Sequence, residues 1–460
     1  MSLHRNSFNS LAPFLYTAKM MKYHNLNIVL LALICSPFSA SATSLEQAAQ
    51  AALTYDSALQ SSQMSSAADK QKYWQGMAGM LPTLTLEGNW DRQEQPDKKY
   101  QSGVTNHSYN LSVRQPLFDM SKYAGWRKGV AIANTAEAQA RQAEEKLLNS
   151  ISNAYFTVLY QQEVLQAAKA ASHNFKQQQQ KLQTGLINGQ NTRTELDEAK
   201  ANYALAQAKE IEASNQLLLA SEAFRRLSGI SPATIEPVNF QCLKASPYTS
   251  LTEAINASQQ RNSDIKIALF QHDQADADVL AANGAHMPVV SLYARYGKNW
   301  SRNDDDDNVL YDAIFGTNSK SNNLQYGLNV SIPLFAGGSQ VSQSFEAAYR
   351  RQSAKYSTME AKRKAATDTR SAWLSLTNGK ALISAQENAV NSAREKVVSV
   401  SYGREMGFRT INDELDAQQK YYTALKDQAE ARLSYLNALI NLAQSTGSLS
   451  LDMLKYFQCH

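Results

Sequence analysis

The chain is written twice, and each copy carries one pair of strand-like segments. Met80-Leu81-Pro82 returns as His286-Met287-Pro288, 206 residues later. Leu111 to Phe118 returns as Leu328 to Phe335, now 217 residues later. The prolines bounding each pair are 34 residues apart in the first copy and 45 in the second. The 11 extra residues fall in the loop that holds Asp304 to Asp307. Leu196-Asp197 and Leu415-Asp416 repeat at 219, and Phe240-Gln241-Cys242 and Phe457-Gln458-Cys459 at 217, so the offset stays nearly constant after the loop. A duplicated unit of about 210 residues is far longer than the repeats of solenoids. The marks divide the chain into a repeat over 43–242 and a repeat over 243–460.

The paired segments alternate with period two. Leu84, Leu86 and Trp90 stand against Thr85, Glu87 and Asn89; Tyr109, Leu111 and Val113 stand against Asn110, Ser112 and Arg114. In the second copy Val290, Leu292, Ala294 and Tyr296 alternate with Ser291, Tyr293 and Arg295, and Leu324, Tyr326, Leu328, Val330 and Ile332 with Asn323, Gln325, Asn329 and Ser331. The pattern predicts strands at about 83–92, 107–116, 289–299 and 323–333. Segments of about ten residues with this alternation and aromatic ends are the signature of membrane β-strands. The alternative is an antiparallel sheet half buried on a soluble core. Four strands cannot close a barrel, and an open edge in lipid leaves backbone groups unpaired. If the strands enter a membrane, several chains must share one barrel.

The remainder reads as long helix. From about Ser121 to Leu227 there is no proline, and Ala, Gln, Glu, Lys and Leu dominate. Leu196, Ala199, Tyr203, Ala206, Ala213, Leu217, Ala220, Phe224 and Leu227 form a coiled-coil seam interrupted by Glu210. Tyr422, Leu425, Ala429, Leu436 and Leu439 keep the same spacing in the second copy, with Arg432 as the exception. The long helices are expected to turn near 185–195 and 403–413.

Residues 1–42 read as a secretory signal: Lys22 opens a basic region, Ile28 to Ile34 is apolar, and Ala40-Ser41-Ala42 supplies small residues before the cut. Translation is expected to begin at Met20 or Met21. Cys35 follows the bulky Ile34, which does not suit a lipid-modified cysteine. The mature chain carries 42 basic against 41 acidic residues. That balance does not recommend a nucleic acid as partner, which demands clustered positive charge. Mean hydropathy is −0.44, and no apolar run reaches the length of a membrane helix.

Signal, duplicated helix-strand-strand-helix units, the strand exits Gln115-Pro116-Leu117-Phe118 and Ile332-Pro333-Leu334-Phe335, and Gly337-Gly338 together resemble the TolC-type outer-membrane channel-tunnel family from Ser44 to about Leu442. The resemblance implies an α+β membrane protein: a homotrimer whose twelve-stranded β-barrel, four strands per chain, continues into a long α-helical barrel across the periplasm. Gly407-Phe408-Arg409-Thr410-Ile411-Asn412-Asp413-Glu414-Leu415-Asp416 resembles the family's periplasmic tip. There Asp413 and Asp416, one turn apart, would form rings of like charge that constrict the pore and attract cations; without the family, they read as two solvated helix acids. Arg409 is implied as donor of a gate link to Thr194 and Glu195 in the first copy's turn, and Gly189 and Gly407 mark the tips where an adaptor would pack. The chain departs from the pattern at Arg404, where the family's best-known member has a tyrosine, so the second gate link is not carried over. The resemblance also puts Cys242 and Cys459 near each other, where a disulfide or two free thiols are the alternatives.

No cofactor or metal is expected, and no enzyme. His-Glu-x-x-His, Cys-x-x-Cys, P-loop and nucleophile-elbow patterns are absent, Ser263-x-x-Lys266 lacks its companion motifs, and the 7 histidines show no ligand spacing. The implied role is a passive duct in the outer membrane and its lipid, joined by a periplasmic adaptor to an inner-membrane transporter of the ABC or RND type. Its cargo is a protein, as in type I secretion, or small toxic molecules. A periplasmic coiled-coil adaptor without a pore is the other reading; it leaves the four strands unexplained. The Asp304 to Asp307 run is expected to be a solvated outer loop.

Overall fold

A computed structural model describes residues 43–94, 103–232, 235–238, 240, 243, 248–303 and 319–457. The signal segment, Cys242, Cys459 and Asp304 to Asp307 lie outside them. Helices α1 (Leu45–Tyr55) and α2 (Ser57–Ala78) lead into strands β1 (Thr83–Glu94) and β2 (Gly103–Phe118), then α3 (Met120–Ile187) and α4 (Arg193–Ser228). The second copy runs α5 (Leu251–Arg261), α6 (Ser263–Gly284), β3 (Val289–Asn303), β4 (Ser319–Ser331), α7 (Ser339–Glu405) and α8 (Ile411–Ser445). A short α9 (Leu451–Leu454) and a 3₁₀ turn follow.

The four strands form one antiparallel sheet in the order β1-β2-β3-β4, leaving β1 and β4 as edges. Register keeps like with like. Leu86 pairs with Leu111, Leu111 with Tyr296, and Tyr296 with Leu324, so one face is apolar across all four strands. Glu87, Asn110, Gly297 and Asn323 share a row of the other face. The apolar face is bare: Leu86 is 72% exposed and Tyr326 78%. A sheet resting on a soluble core would bury that face, so the half-buried alternative fails here. A bulge between Pro116 and Phe118 lets Phe118 pair with Val290 and join the apolar face.

The long helices follow from local chemistry. Asp119 accepts from the backbone N–H groups of Ser121 and Lys122 at 3.0 and 3.2 Å and starts α3. With 68 residues and no proline, α3 spans about 100 Å; α7 has 67. On α4 the seam buries Leu196, Ala199, Ala206, Ala213, Ala220, Phe224 and Leu227. Asp56 and Asn262 end one helix and cap the next in the two copies, which breaks α1 from α2 and α5 from α6.

Two apolar cores stabilise the helices. The larger gathers Leu148, Ile151, Tyr155, Phe156, Phe224 and Ile440 with Leu45 of α1 and Leu454 of α9. The Tyr155 hydroxyl donates to the carbonyls of Thr43 and Glu236 at 3.1 and 2.7 Å, and Thr43 pairs with Ile235, which ties the start of the described chain to the link between the copies. The smaller core, with Phe175, Leu182, Leu196, Ile411 and Leu415, lies beside the helix turns. Arg432, which breaks the seam, serves as a junction: it lies 3.9 Å from Glu163 of α3 and 3.5 Å from Glu387 of α7, with its guanidinium 5.5 Å over the Phe240 ring. Burial raises the Glu163 carboxyl above its usual range, and Arg432 partly offsets this.

Candidate functional site

The two helix turns are built alike. α3 ends at Gly189 (φ +71°) and α7 at Gly407 (φ +80°), left-handed positions that suit glycine. In the first turn Gln190 donates to Gly185 O at 2.7 Å and Gly189 to Leu186 O at 3.1 Å; in the second, Phe408 donates to Gly403 O at 2.8 Å and Gly407 to Arg404 O at 3.0 Å. Both are Schellman turns. Thr192 and Thr410 then cap α4 and α8 by reciprocal boxes. The N–H of Thr192 donates to Glu195 Oε2 at 2.7 Å, and that of Thr410 to Asp413 Oδ2 at 2.9 Å. Each threonine hydroxyl donates to the same oxygen at 3.0 Å and accepts from the acid's own N–H.

The caps set the copies 218 residues apart here, since Gly189 matches Gly407, Thr192 matches Thr410 and Glu195 matches Asp413. The offset of 219 read from Leu196-Asp197 and Leu415-Asp416 follows the residue letters, whereas the fold places Glu414 where Leu196 stands. Glu414 accordingly takes a buried position. Arg404 lies 2.9 Å from its Oε2, and Gln178 of α3, itself buried, donates to the same oxygen at 3.1 Å. Asn174 of α3 donates to the Tyr422 hydroxyl of α8, whose ring faces Phe175 at 6.4 Å. A buried polar contact at Glu414 and an exposed one at Tyr422 thus join the second copy's hairpin to the first copy's long helix.

Asp413 and Asp416 lie on the first turns of α8, with Asp416 exposed and Asp413 half-buried. Thr410 holds the Asp413 carboxyl below its ordinary value of 3.8, first through its N–H and then through its hydroxyl. A lowered pKa means that the cap's contribution is present above pH 3.8 and lost as pH falls through the shifted value. Thr410→Val is expected to move the Asp413 titration upward, toward 3.8, in carbon-detected NMR of selectively labelled protein. An unmoved midpoint would refute the hydroxyl's share and leave the backbone N–H, which the variant keeps, as the cause. Arg409 is exposed beside Asp413 and contributes to lowering its pKa. Within one chain, no hydrogen bond among the described residues joins Arg409 to Thr194 or Glu195.

At the far end of the molecule the bare apolar face has the dimensions of a membrane. Exposed Phe118 marks its helix-side end, and the row Trp90, His107, Trp300 its hairpin-side end, with ring centroids at 6.4 and 5.5 Å. Eleven residues of β2 separate the two levels, about 36 Å along the strand, or about 28 Å across a bilayer at a tilt of about 40°. The model of the family of outer membrane efflux proteins matches residues 48–230 and 254–448. The chain belongs to that family. It is 29% identical to the alkaline protease secretion protein AprF of Pseudomonas aeruginosa over 81% of this chain and 78% of the relative. It is 27% identical to the outer membrane protein TolC of Salmonella enteritidis over 94% and 87%. The solved outer membrane protein VceC of Vibrio cholerae shares the fold, with a TM-score of 0.74 at 20% identity over 88% of this chain and 96% of that one.

As a member of the outer membrane efflux protein family, the chain is an outer-membrane protein. No helix among the described residues is long and apolar enough to cross a membrane. Sequence reasoning missed Glu414, which looks like one more acid in a helix's first turn, and Gln178, in a run of four glutamines. It also missed His272, Asp273 and Asp276 on α6, whose ligand atoms lie within 4.8 Å of one another. Arg351 lies 3.9 Å from Asp276 and His272 3.3 Å, so the group is a surface charge network answered by its own cation.

Proposed function

We propose that this protein is the outer-membrane duct of a tripartite exporter, carrying cargo passively from an inner-membrane transporter and periplasmic adaptor to the exterior. The observation that carries this reading is the four-stranded sheet with two open edges, one bare apolar face and one polar face. An edge strand in lipid must be paired, and three such sheets joined β4 to β1 close twelve strands with the polar face inward. The homotrimer places α3 and α7 around a common axis as a tunnel.

At the far end of the tunnel the tips close the pore. Asp413 and Asp416 become threefold rings that draw cations and narrow the passage. Thr192 binds Glu195 through Oε2 alone, and Thr410 binds Asp413 likewise, which leaves the second oxygen of each carboxylate for a neighbour. Arg409 of one protomer reaches Thr194 and Glu195 of the next, and within each protomer Arg404, Glu414 and Gln178 hold the second hairpin against α3. The turns at Gly189 and Gly407, flanked by exposed Ile187 and Phe408, meet the adaptor. Relatives named for protease secretion and for efflux support export of either cargo class. Native mass spectrometry of the detergent-extracted mature protein is expected to show three chains; a strain lacking it is expected to retain an exported protein or accumulate a toxic dye, and restoration identifies the cargo. A monomer without either defect would refute the duct.

A further inference from the structure

The charges on the sheet's outward face are confined to one end. Lys298, Lys320 and His107 lie on the apolar face at or within two residues of the row containing Trp90 and Trp300, and Arg92 and Arg302 occupy the same face one row farther out. Both lysines and both tryptophans are exposed. The Lys320 ammonium lies 4.8 Å from the centroid of the Trp300 ring. Glu94 is the only acid of that face among the described residues, and it pairs with Arg92 at 3.0 Å. The opposite rim, with Leu84, Phe118, Val290 and Val330, carries no strand cation on this face.

This asymmetry separates two explanations of the basic residues. Lysines that merely bring their ammonium groups out of the hydrocarbon would serve equally at both rims, since an ordinary phospholipid bilayer has phosphate at both levels. On the strands themselves cations stand at the hairpin rim alone, with Lys122 at the start of α3 as the cation beside Phe118 at the other end; the denser positive charge at the hairpin rim matches a bilayer whose outer leaflet carries more phosphate than its inner one. The cost of a basic residue on the lipid face falls to about 0–1 kcal/mol near the interface, so their depth is tolerated. Lysine ammonium groups bind phosphate as point charges, and neighbouring indole rings pack against sugar and acyl chain.

We propose that the aromatic and cationic rim formed by Trp90, His107, Lys298, Trp300 and Lys320 is a docking surface for the phosphorylated glycolipid of the outer leaflet, with the lysines on its phosphates. The inference rests on the reading that this face meets lipid with the hairpins outward. The mature full-length channel, reconstituted separately with bisphosphorylated hexa-acyl lipid A, dephosphorylated lipid A or phosphatidylethanolamine, is analysed by native mass spectrometry for retained lipid and in a planar bilayer for conductance. Wild type is expected to retain bisphosphorylated lipid A over the other two. Lys298→Gln and Lys320→Gln each weaken its retention about fivefold, and Lys→Arg restores it. Variants that conduct normally and retain lipid A as wild type does would overturn the docking surface, as would equal retention of the dephosphorylated lipid. Wild-type protein that fails to conduct would instead count against the duct.

Discussion

Glu414→Ala is expected to loosen the tip and leave the channel leaking. The carboxylate is buried, with Arg404 at 2.9 Å and Gln178 at 3.1 Å on one oxygen. Its removal strands a cation and a buried amide together. Breaking a buried pair costs about 3–5 kcal/mol; here Arg404 keeps 31% of its side chain in water, so the expected cost is about 2–3 kcal/mol. That free energy is lost where α8 meets α3, and the hairpin separates from the first copy more often. Conductance is expected to rise several-fold, with matching sensitivity of cells to large antibiotics. The double variant Arg404→Met, Glu414→Leu removes both charges and restores apolar contact at the site Leu196 fills in the first copy, so it is expected to close again. A leak that persists in the double variant would show that charge, and not burial, holds the tip.

The second large effect concerns the helix crossing next to the sheet. A Cβ placed on Gly129 of α3 would lie 2.3 Å from the Lys72 carbonyl oxygen of α2, and one on Gly76 would lie 2.8 Å from Trp126 Cα. Both obstacles are backbone, so neither can rotate away. Gly129→Leu must push α2 from α3, and the β1–β2 hairpin hangs between these two helices. Overpacking of this kind costs about 1–3 kcal/mol or more. Loss of the proposed trimer from outer membranes is the expected result, read as loss of the heat-modifiable species on gels. Gly125, one turn away, has nothing within 4 Å of its would-be Cβ. Gly125→Ala is therefore expected to assemble normally and to stabilise α3 by up to about 1 kcal/mol. Equal assembly of the two variants would contradict the close crossing.

What the sequence reveals depends on how local the cause is. The alternation from Leu324 to Ser331 is legible because the strand period alone puts apolar and polar side chains on opposite faces, and β4 carries it with its apolar face exposed. The seam from Leu196 to Leu227 is legible for the same reason at helical period. Thr192-x-x-Glu195 is equally local, a capping box written in plain spacing, whereas Thr194 takes its importance from the family resemblance alone. Glu414 could not be read at all. It differs from a solvated acid through Arg404, across the helix turn, and through Gln178, which stands 236 residues earlier. Arg432 appears in the sequence only as a flaw in a seam, and its reason lies on Glu163, Glu387 and Phe240.

The central claim, a gated duct with an acidic constriction, is tested most directly by single-channel recording. The detergent-extracted mature protein is placed in a planar bilayer beside Asp413→Ala, Asp416→Ala, each with and without a trivalent cation. The account predicts small cation-selective openings in the wild type, blocked by the trivalent ion from one side and not blocked in the double variant. Folded protein that gives no openings would contradict the duct and favour a pore-free periplasmic protein, whereas openings indifferent to both aspartates would leave the duct and remove the constriction.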